Sequence, residues 1–340
     1  MNRTPAPRRV GELSVTVRVV PTRATALLPG PSYLGACDAS AAVDLDGSRF
    51  VIASDEPTAS GKSSLHVYEL DLPRPVASLR LGDDLGLDGL SKGEIDLEAA
   101  ARVDKRIYWA SSHGREADGD PAESRRRFFA TEVDARGRLK AVGRSYARLV
   151  EDMLAEPALA PLGLARVEER GLAPKHGGLN IEGMAARPDG ALLLGLRSPL
   201  LGGCAALVPF LNPDAVLDGP ERARFAAPIR LDLGGNGVRD LTHDPARHAW
   251  IVLAGAAGRG NGRALYAWSG EPGERAVPID ASIPRDFNAE AVLVDPATGR
   301  LRLFSDDGER VIDPGRGKPR RNKDLKDSRR TFRSLWLLLE

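Results

Sequence analysis

The feature that most constrains this chain is a hairpin that recurs along it. Its clearest copy runs Asn180-Ile181-Glu182-Gly183-Met184, turns at Pro188-Asp189-Gly190, and returns through Leu192 to Pro199, with Arg197 near the end. Asp-Gly is a strong hairpin signal, because the tight turn needs positive φ, which Gly adopts freely and Asp tolerates. Two earlier stretches share the layout. One is Asp38-Ala39-Ser40-Ala41-Ala42, turning at Asp46-Gly47 and running Arg49 to Ser54. The other is Asp96-Leu97-Glu98-Ala99-Ala100, turning at Asp104-Lys105 and running Ile107 to Ser112. A fourth, degenerate copy is Val238 to Thr242 with Ala249 to Ala254, and a fifth is Asn288 to Val292 with Arg300 to Ser305. Further short strands follow the hairpins, among them Leu65 to Leu70, Phe128 to Val133, Ala205 to Phe210 and Arg263 to Trp268.

Roughly four strands per unit, with unit starts about 50 to 85 residues apart, is the pattern of radially arranged propeller blades. The expectation is an all-β propeller of five four-stranded blades. A sixth, assembled from the N- and C-terminal strands Leu13 to Val20 and Thr331 to Leu339, is the variant to test. A β-sandwich with coincidental hairpins is the competing architecture. One helical insert is expected over Tyr146 to Leu159, where Leu149, Val150, Met153 and Leu154 fall at helical spacing. The 340 residues read as a single domain, with residues 1–12 a loose leader and residues 315–330 a basic linker before the last strand.

Composition excludes some classes of function. Net charge is +1, so there is no electrostatic footprint for nucleic acid. No run of about 18 apolar residues offers a membrane span, and no apolar segment of signal-peptide type follows the N-terminus. Cys37 and Cys204, far apart in sequence, read as free thiols, and the expected location is cytoplasmic. Ala59-Ser60-Gly61-Lys62-Ser63 lacks the first glycine and the strand–helix setting of a phosphate loop, so it reads as a turn. Gly258 to Gly262 reads as a flexible hairpin loop, and His176 as a solvated loop residue near the central hairpin.

The polar residues fall into two rings. Ser40, Glu98, Glu182, Asp240 and Glu290 open the first strand of each hairpin; Asp55, His113, Arg197, Gly255 and Asp306 end the second, fifteen residues on, or sixteen in the last copy. In an antiparallel hairpin these two positions share an edge, so both rings belong at one mouth of the central channel. So many carboxylates cannot all stay ionised uncompensated. Some could be protonated, some could pair with Arg197, Arg239, Arg115 or a protonated His113, or a hard cation could sit among them. An oxygen-rich set suits calcium or magnesium over zinc. Polar residues at strand starts also lock blade to blade through backbone groups, and the glutamates suit that role as well.

Ile181-Glu182-Gly183 with Gly195-Leu196-Arg197-Ser198-Pro199, Asp96-Leu97-Glu98-Ala99 with Ser112-His113-Gly114-Arg115, Arg239-Asp240-Leu241, and Ser305-Asp306-Asp307-Gly308 together resemble the signature of a bacterial domain family of unknown function. That family has no established activity, so the resemblance implies the fold more than the chemistry. The blade opening is also similar, more distantly, to propellers with phytase-like or lactonase-like activities, whose channels hold calcium on acidic residues. The expectation is a divalent-cation-dependent hydrolase of a small anionic ester, phosphoester or lactone, with calcium as the candidate ion. Glu98, Glu182, Glu290 and Asp240 would be its metal ligands. His113 would act as general base, Arg197 would bind the anion, and Asp55 and Asp306 would complete the catalytic set. The alternative is a non-catalytic propeller that binds a small molecule or a protein partner at the same mouth.

Overall fold

The computed structural model describes residues 23–54, 56, 63–82, 95–134, 137–258, 260, 262–313 and 318–340. Strand β1 (Ala24–Leu34) comes first, followed by four meanders. Blade one is β2 (Ala41–Asp44), β3 (Arg49–Ala53), β4 (Ser64–Glu69) and β5 (Ala77–Arg80). Blade two is β6 (Leu97–Val103), β7 (Arg106–Ser111), β8 (Phe128–Val133) and β9 (Leu139–Tyr146). Blade three is β10 (Asn180–Ala186), β11 (Leu192–Leu201), β12 (Cys204–Phe210) and β13 (Ile229–Leu231). Blade four is β14 (Asn236–Asp244), β15 (Ala249–Ala256), β16 (Arg263–Trp268) and β17 (Val277–Ile279). Blade five opens with β18 (Ala289–Val294) and β19 (Leu301–Ser305). A small ribbon of β20 (Val311–Ile312) and β21 (Arg320–Arg321) then intervenes before β22 (Thr331–Leu339).

The order in blade five is β18-β19-β22-β1, all antiparallel. The two outermost described strands of the chain therefore complete the fifth blade instead of building a sixth. The chain is a five-bladed propeller in which the fifth blade combines β18 and β19 with β22 and β1, strands from opposite ends of the described residues. The strand expected at 13–20, the leader 1–12 and the turn at 59–62 lie outside the described residues. Inner strands β2, β6, β10, β14 and β18 neighbour one another in cyclic order around the axis.

Local chemistry explains the hairpins. Each turn between an inner strand and the next carries one residue in the left-handed region: Gly47, Asp104, Gly190, His248 and Gly299. An aspartate accepts backbone N–H groups in four of them, Asp44 from Gly47, Asp189 from Ala191, Asp244 from Ala246 and Arg247, and Asp295 from Ala297 and Thr298. Small residues dominate the inner strands because five of them converge on one axis. Gly183 in β10 shows how little room remains, since a Cβ there would stand 2.7 Å from Leu241 Cδ2 and 2.9 Å from Val238 Cγ1 of the next blade.

The core lies between blades, in five apolar clusters, one per blade junction. Trp109 fills the junction of blades one and two, and Trp250 and Trp268 that of three and four. The junction of five and one, where the ring closes, holds Tyr33, Phe50, Tyr68, Phe304 and Phe332 in mutual ring contact. Each such side chain stabilises by about 1.5–3 kcal/mol when fully buried.

The helical insert is shorter and more broken than its periodicity predicts. Strand β9 runs on through Tyr146, and α1 spans only Leu149–Ala155. Pro157 cannot continue the helix, so the chain switches to a 3-10 segment (Pro157–Leu162) and then α2 (Leu164–Glu169). A further helix, α3 (Pro213–Asp218), follows β12. Residues 318–330, part of the stretch expected as a linker, hold β21 and two 3-10 turns. Asn322 is fully buried there and donates to the Asp307 carbonyl at 3.1 Å, pinning the segment to blade five.

Candidate functional site

Four inner strands share an irregularity at the same height. The ladder skips from Leu97↔Ser111 to Ala99↔Ala110 in blade two and from Ile181↔Leu196 to Gly183↔Gly195 in blade three. It skips likewise from Val238↔Ala254 to Asp240↔Leu253 in blade four and from Ala289↔Ser305 to Ala291↔Phe304 in blade five. Each skip is a β-bulge, whose extra residue leaves the ladder and is re-aimed. The extra residues are Glu98, Glu182, Arg239 and Glu290. Blade one has no bulge, and Ser40, just before β2, takes the corresponding place, its N–H bonded to the Ala53 carbonyl at 3.1 Å. All five line one cavity of about 970 Å³ at a mouth of the channel.

The bulges correct the ring by one residue in blade four. Arg239, not Asp240, faces the mouth. The Asp240 carboxylate turns instead to the backbone and accepts the N–H groups of Leu241 and, in the next blade, Val292, each at 2.8 Å. It borders a smaller cavity of about 350 Å³, whose walls include Ala42, Ala101 and Ala185. Asp240 is a blade-to-blade tie and does not join the three glutamates.

The second ring is brought together only in part. A second skip, from Asn180↔Ser198 to Ile181↔Leu196, makes Arg197 the extra residue of β11 and swings it into the mouth. Asp306 pairs with Asn288 beyond the end of the β18–β19 ladder and also lines the cavity. His113 does not. It sits past the end of β7 with φ 57°, fully buried, its Nδ1 2.7 Å from the Ser111 carbonyl and its Nε2 without a hydrogen-bond partner. Burial pushes its pKa down to about 4, so it is a neutral, enclosed imidazole and not a base at the mouth. Asp55 lies outside the described residues.

The floor of the mouth is an ion-pair network spanning three blades. Arg239 Nη1 lies 2.8 Å from Glu182 Oε2 and 3.3 Å from Glu290 Oε2. Arg197 Nη1 donates to Glu182 Oε1 at 2.8 Å, and Arg263 Nη2 to Glu290 Oε1 at 2.7 Å. Asn180 and Asn288, each two residues before its glutamate, donate to those same Oε1 atoms at 2.7 and 3.2 Å. Arg197 also holds the loop after β15, donating to the carbonyls of Ala256 (3.2 Å) and Gly258 (2.8 Å). Burial raises the pKa of Glu290, but Arg239 and Arg263 outweigh it and hold the carboxyl below its ordinary range. Gly255 makes room for the network: a Cβ there would be 2.9 Å from Arg263 Nη1 and 3.1 Å from Arg239 Nε.

This network answers the calcium expectation. The charge between Glu182 and Glu290 is a guanidinium, and among the described residues no three His, Cys, Asp or Glu side chains are placed to hold a metal ion. The donor set does not fit a calcium cage, which needs six to eight converging oxygens.

Asp306 stands beside the network, and its carboxylate is held by neutral donors. Its Oδ1 accepts the Gly308 N–H at 2.8 Å and its Oδ2 the Asn288 amide at 3.0 Å. Burial first, then the negative charges of Glu290 and Asp38, push its pKa up to about 7. Asn288 thus bridges two carboxyls whose surroundings drive them in opposite directions. Arg263 escapes a reading of the sequence, because it comes from the third strand of its blade and carries no hairpin signal. The glycine at 255, in a ring of otherwise polar residues, is the available clue.

Fold and site together define a five-bladed propeller with a compensated, strongly charged mouth. Residues 141–277 match the model of a family described as "Protein of unknown function (DUF3616)". That span contains the motifs at 181–199 and 239–241; those at 96–115 and 305–308 lie outside it. No curated protein gives a significant match. Among solved structures, the chain is similar to a GH43 β-1,3-galactosidase (12% identity, TM-score 0.48, covering 91% of this chain and 94% of that one). It is also similar to a putative glucose dehydrogenase of Thermus thermophilus (18% identity, TM-score 0.43, covering 91% and 100%). A third is the Cps50 (Swd1) β-propeller domain of Myceliophthora thermophila (10% identity, TM-score 0.38, covering 92% and 100%). At these identities none speaks to the chemistry of the mouth. Among the described residues no helix is long and apolar enough to cross a membrane.

Proposed function

We propose that the mouth is the site of a metal-independent hydrolase acting on a small anionic ester or lactone, with Asp306 as the group that moves the proton. The observation that carries this reading is the Glu290–Asn288–Asp306 arrangement. Two carboxyls are held by one amide in one cavity wall, one kept ionised by guanidiniums and the other poised near pH 7. Neighbouring carboxyls with oppositely driven pKa values are the usual setting of an acid–base residue.

In this reading ionised Asp306 takes a proton from a water as its oxygen adds to the substrate carbonyl carbon. Collapse of the tetrahedral adduct breaks the acyl–oxygen bond, and the same proton passes from Asp306 to the departing oxygen. Glu290 takes no part in the transfer. Burial and, after it, the fixed charge of Glu290 keep the pKa of Asp306 high, which makes Asp306 a stronger base than an ordinary carboxylate. The cations of the wall attract the anionic substrate, and the rigid floor fixes its orientation.

The test is hydrolysis of a panel of small anionic esters and lactones from pH 5 to 9. The expected kcat/KM rises through an inflection near pH 7. Asp306→Asn lowers kcat by at least a hundredfold with little change in KM. Undiminished kcat in that variant overturns the assignment. A propeller that binds without catalysis is the better reading if the parent binds such anions and turns over none of them.

A further inference from the structure

We infer that the mouth takes a small polyhydroxylated anion, a polyol carrying one carboxylate or phosphate, and excludes ligands with an aromatic or acyl body. This rests on the reading of the mouth as a ligand site, but not on proton transfer at Asp306.

The first observation is what the wall lacks. Among the described lining residues of this cavity of about 970 Å³ there is no Phe, Tyr, Trp, Leu, Ile, Val or Met. The carbon it offers is that of Ala117, Ala173, Pro174, two glycines and the stems of its charged side chains. Ordinary small-molecule sites are lined mainly by apolar and aromatic side chains, which carry much of the binding. Here an apolar ligand body would strip water from charged groups and gain little apolar contact in return, a loss for every group desolvated.

The second observation is how the charges are arranged. Deep in the mouth they alternate in sign and are already paired, Arg197–Glu182–Arg239–Glu290–Arg263. A bare anion gains little from guanidiniums that are so compensated. A hydroxyl group suits such a surface, because it can donate to a carboxylate oxygen and accept from the neighbouring guanidinium at once. Vicinal hydroxyls repeat that match along the row. The row is also held rigid by the two asparagines and by the loop carbonyls on Arg197, so little ordering is required on binding.

The third observation places the anion. Lys175 and Arg285 line the same cavity, are exposed, and have side chains with no hydrogen bond or ion pair within the described protein. Together with the exposed Arg310 they are uncompensated positive charges near the rim of the wall, whereas Asp306, a carboxyl held by neutral donors, is partly buried beside the paired row. A carboxylate or phosphate at one end of the ligand meets one of them while the hydroxylated remainder reaches toward the paired row.

The experiment is thermal stability of the full chain with millimolar gluconate, glucose 6-phosphate, glucose, benzoate and octanoate, followed by calorimetric titration of whichever shifts Tm. Gluconate, glucose 6-phosphate or both are expected to raise Tm. Which of the two binds more tightly identifies the anion as carboxylate or phosphate. Glucose, benzoate and octanoate are expected to leave it unchanged. The Lys175→Ala, Arg285→Ala double variant changes only exposed side chains and should weaken the bound anion at least tenfold while keeping the parental Tm. A Tm shift with benzoate or octanoate equal to that with gluconate overturns the inference, as does binding of glucose as tight as that of its acid. No shift with either polyhydroxylated anion also overturns it. Asp306→Asn separates the two proposals. Retained gluconate binding without any turnover in the parent refutes the hydrolase alone, whereas Asp306-dependent hydrolysis of an aryl or acyl ester refutes only the ligand class.

Discussion

Replacing Asp306 by Asn should shift the balance of stability toward the variant increasingly as pH rises. An ordinary aspartate loses its proton near 3.8, whereas Asp306 in its wall holds on to about 7. Below about pH 4 the group is protonated in both folded and unfolded chains and contributes nothing. Between about 4 and 7 the folded state keeps a proton that the unfolded state has released, so stability falls with rising pH. Above 7 the loss is complete. Roughly three units at 1.36 kcal/mol each set its ceiling near 4 kcal/mol. Between pH 5 and pH 8 the part that develops is about 2.5–3 kcal/mol. Asparagine is neutral throughout and escapes this term. Its amide meets the Asn288 amide as donor against donor in place of the 3.0 Å bond, at a cost that does not depend on pH. The decisive quantity is therefore the difference between variant and parent at two pH values. Urea unfolding at pH 5 and pH 8 measures it. A difference that opens by about 2–3 kcal/mol in favour of the Asp306→Asn variant supports the raised carboxyl. A difference equal at both pH values refutes it.

Two further perturbations probe the floor. Arg239→Gln removes the guanidinium that the buried Glu182 and Glu290 share, leaving Glu182 with Arg197 and Glu290 with Arg263, and should cost about 1.5–3 kcal/mol by urea unfolding; adding Glu182→Gln should restore part of that, and a single variant as stable as the parent would show the shared guanidinium to be dispensable. Gly255→Ala drives a methyl group into Arg239 and Arg263, so a loss of about 1–3 kcal/mol is expected, with weakened ligand binding; an unchanged Tm and unchanged binding would show that the two guanidiniums can move aside.

The hairpins are legible in the sequence because their signals are local. A turn residue, an aspartate cap and a short apolar run on each side lie within about twenty residues of one another. The limits of the strand Thr331–Leu339 are legible too, yet its place as third strand of blade five is not, because pairing with β1 and β19 is a long-range fact. Counting fifteen residues along each hairpin places Arg197 correctly and misplaces Asp240. A bulge shifts the side-chain alternation by one residue, and nothing in the composition of Val238-Arg239-Asp240-Leu241 shows which of its two charged residues is the extra one. His113 fails for a related reason. It matches the spacing, but its left-handed backbone turns the imidazole into the interior, and that conformation is rare enough outside glycine to escape a pattern-based reading.

The closing pair of strands also determines how the ring responds to tension. Strands β1 and β22 are antiparallel, with Ala24 opposite Leu339 at one end and Leu34 opposite Thr331 at the other. A force that draws these two strands apart from the Ala24–Leu339 end acts across the ladder, so its hydrogen bonds break in sequence, as in a zipper, and never share the load. Peeling then runs inward until it meets Tyr33, stacked on Phe332 at 5.2 Å and edge-on to Phe50 and Tyr68. Mechanical resistance is therefore concentrated in that aromatic cluster, and the propeller should open from its fifth blade while the other four still stand.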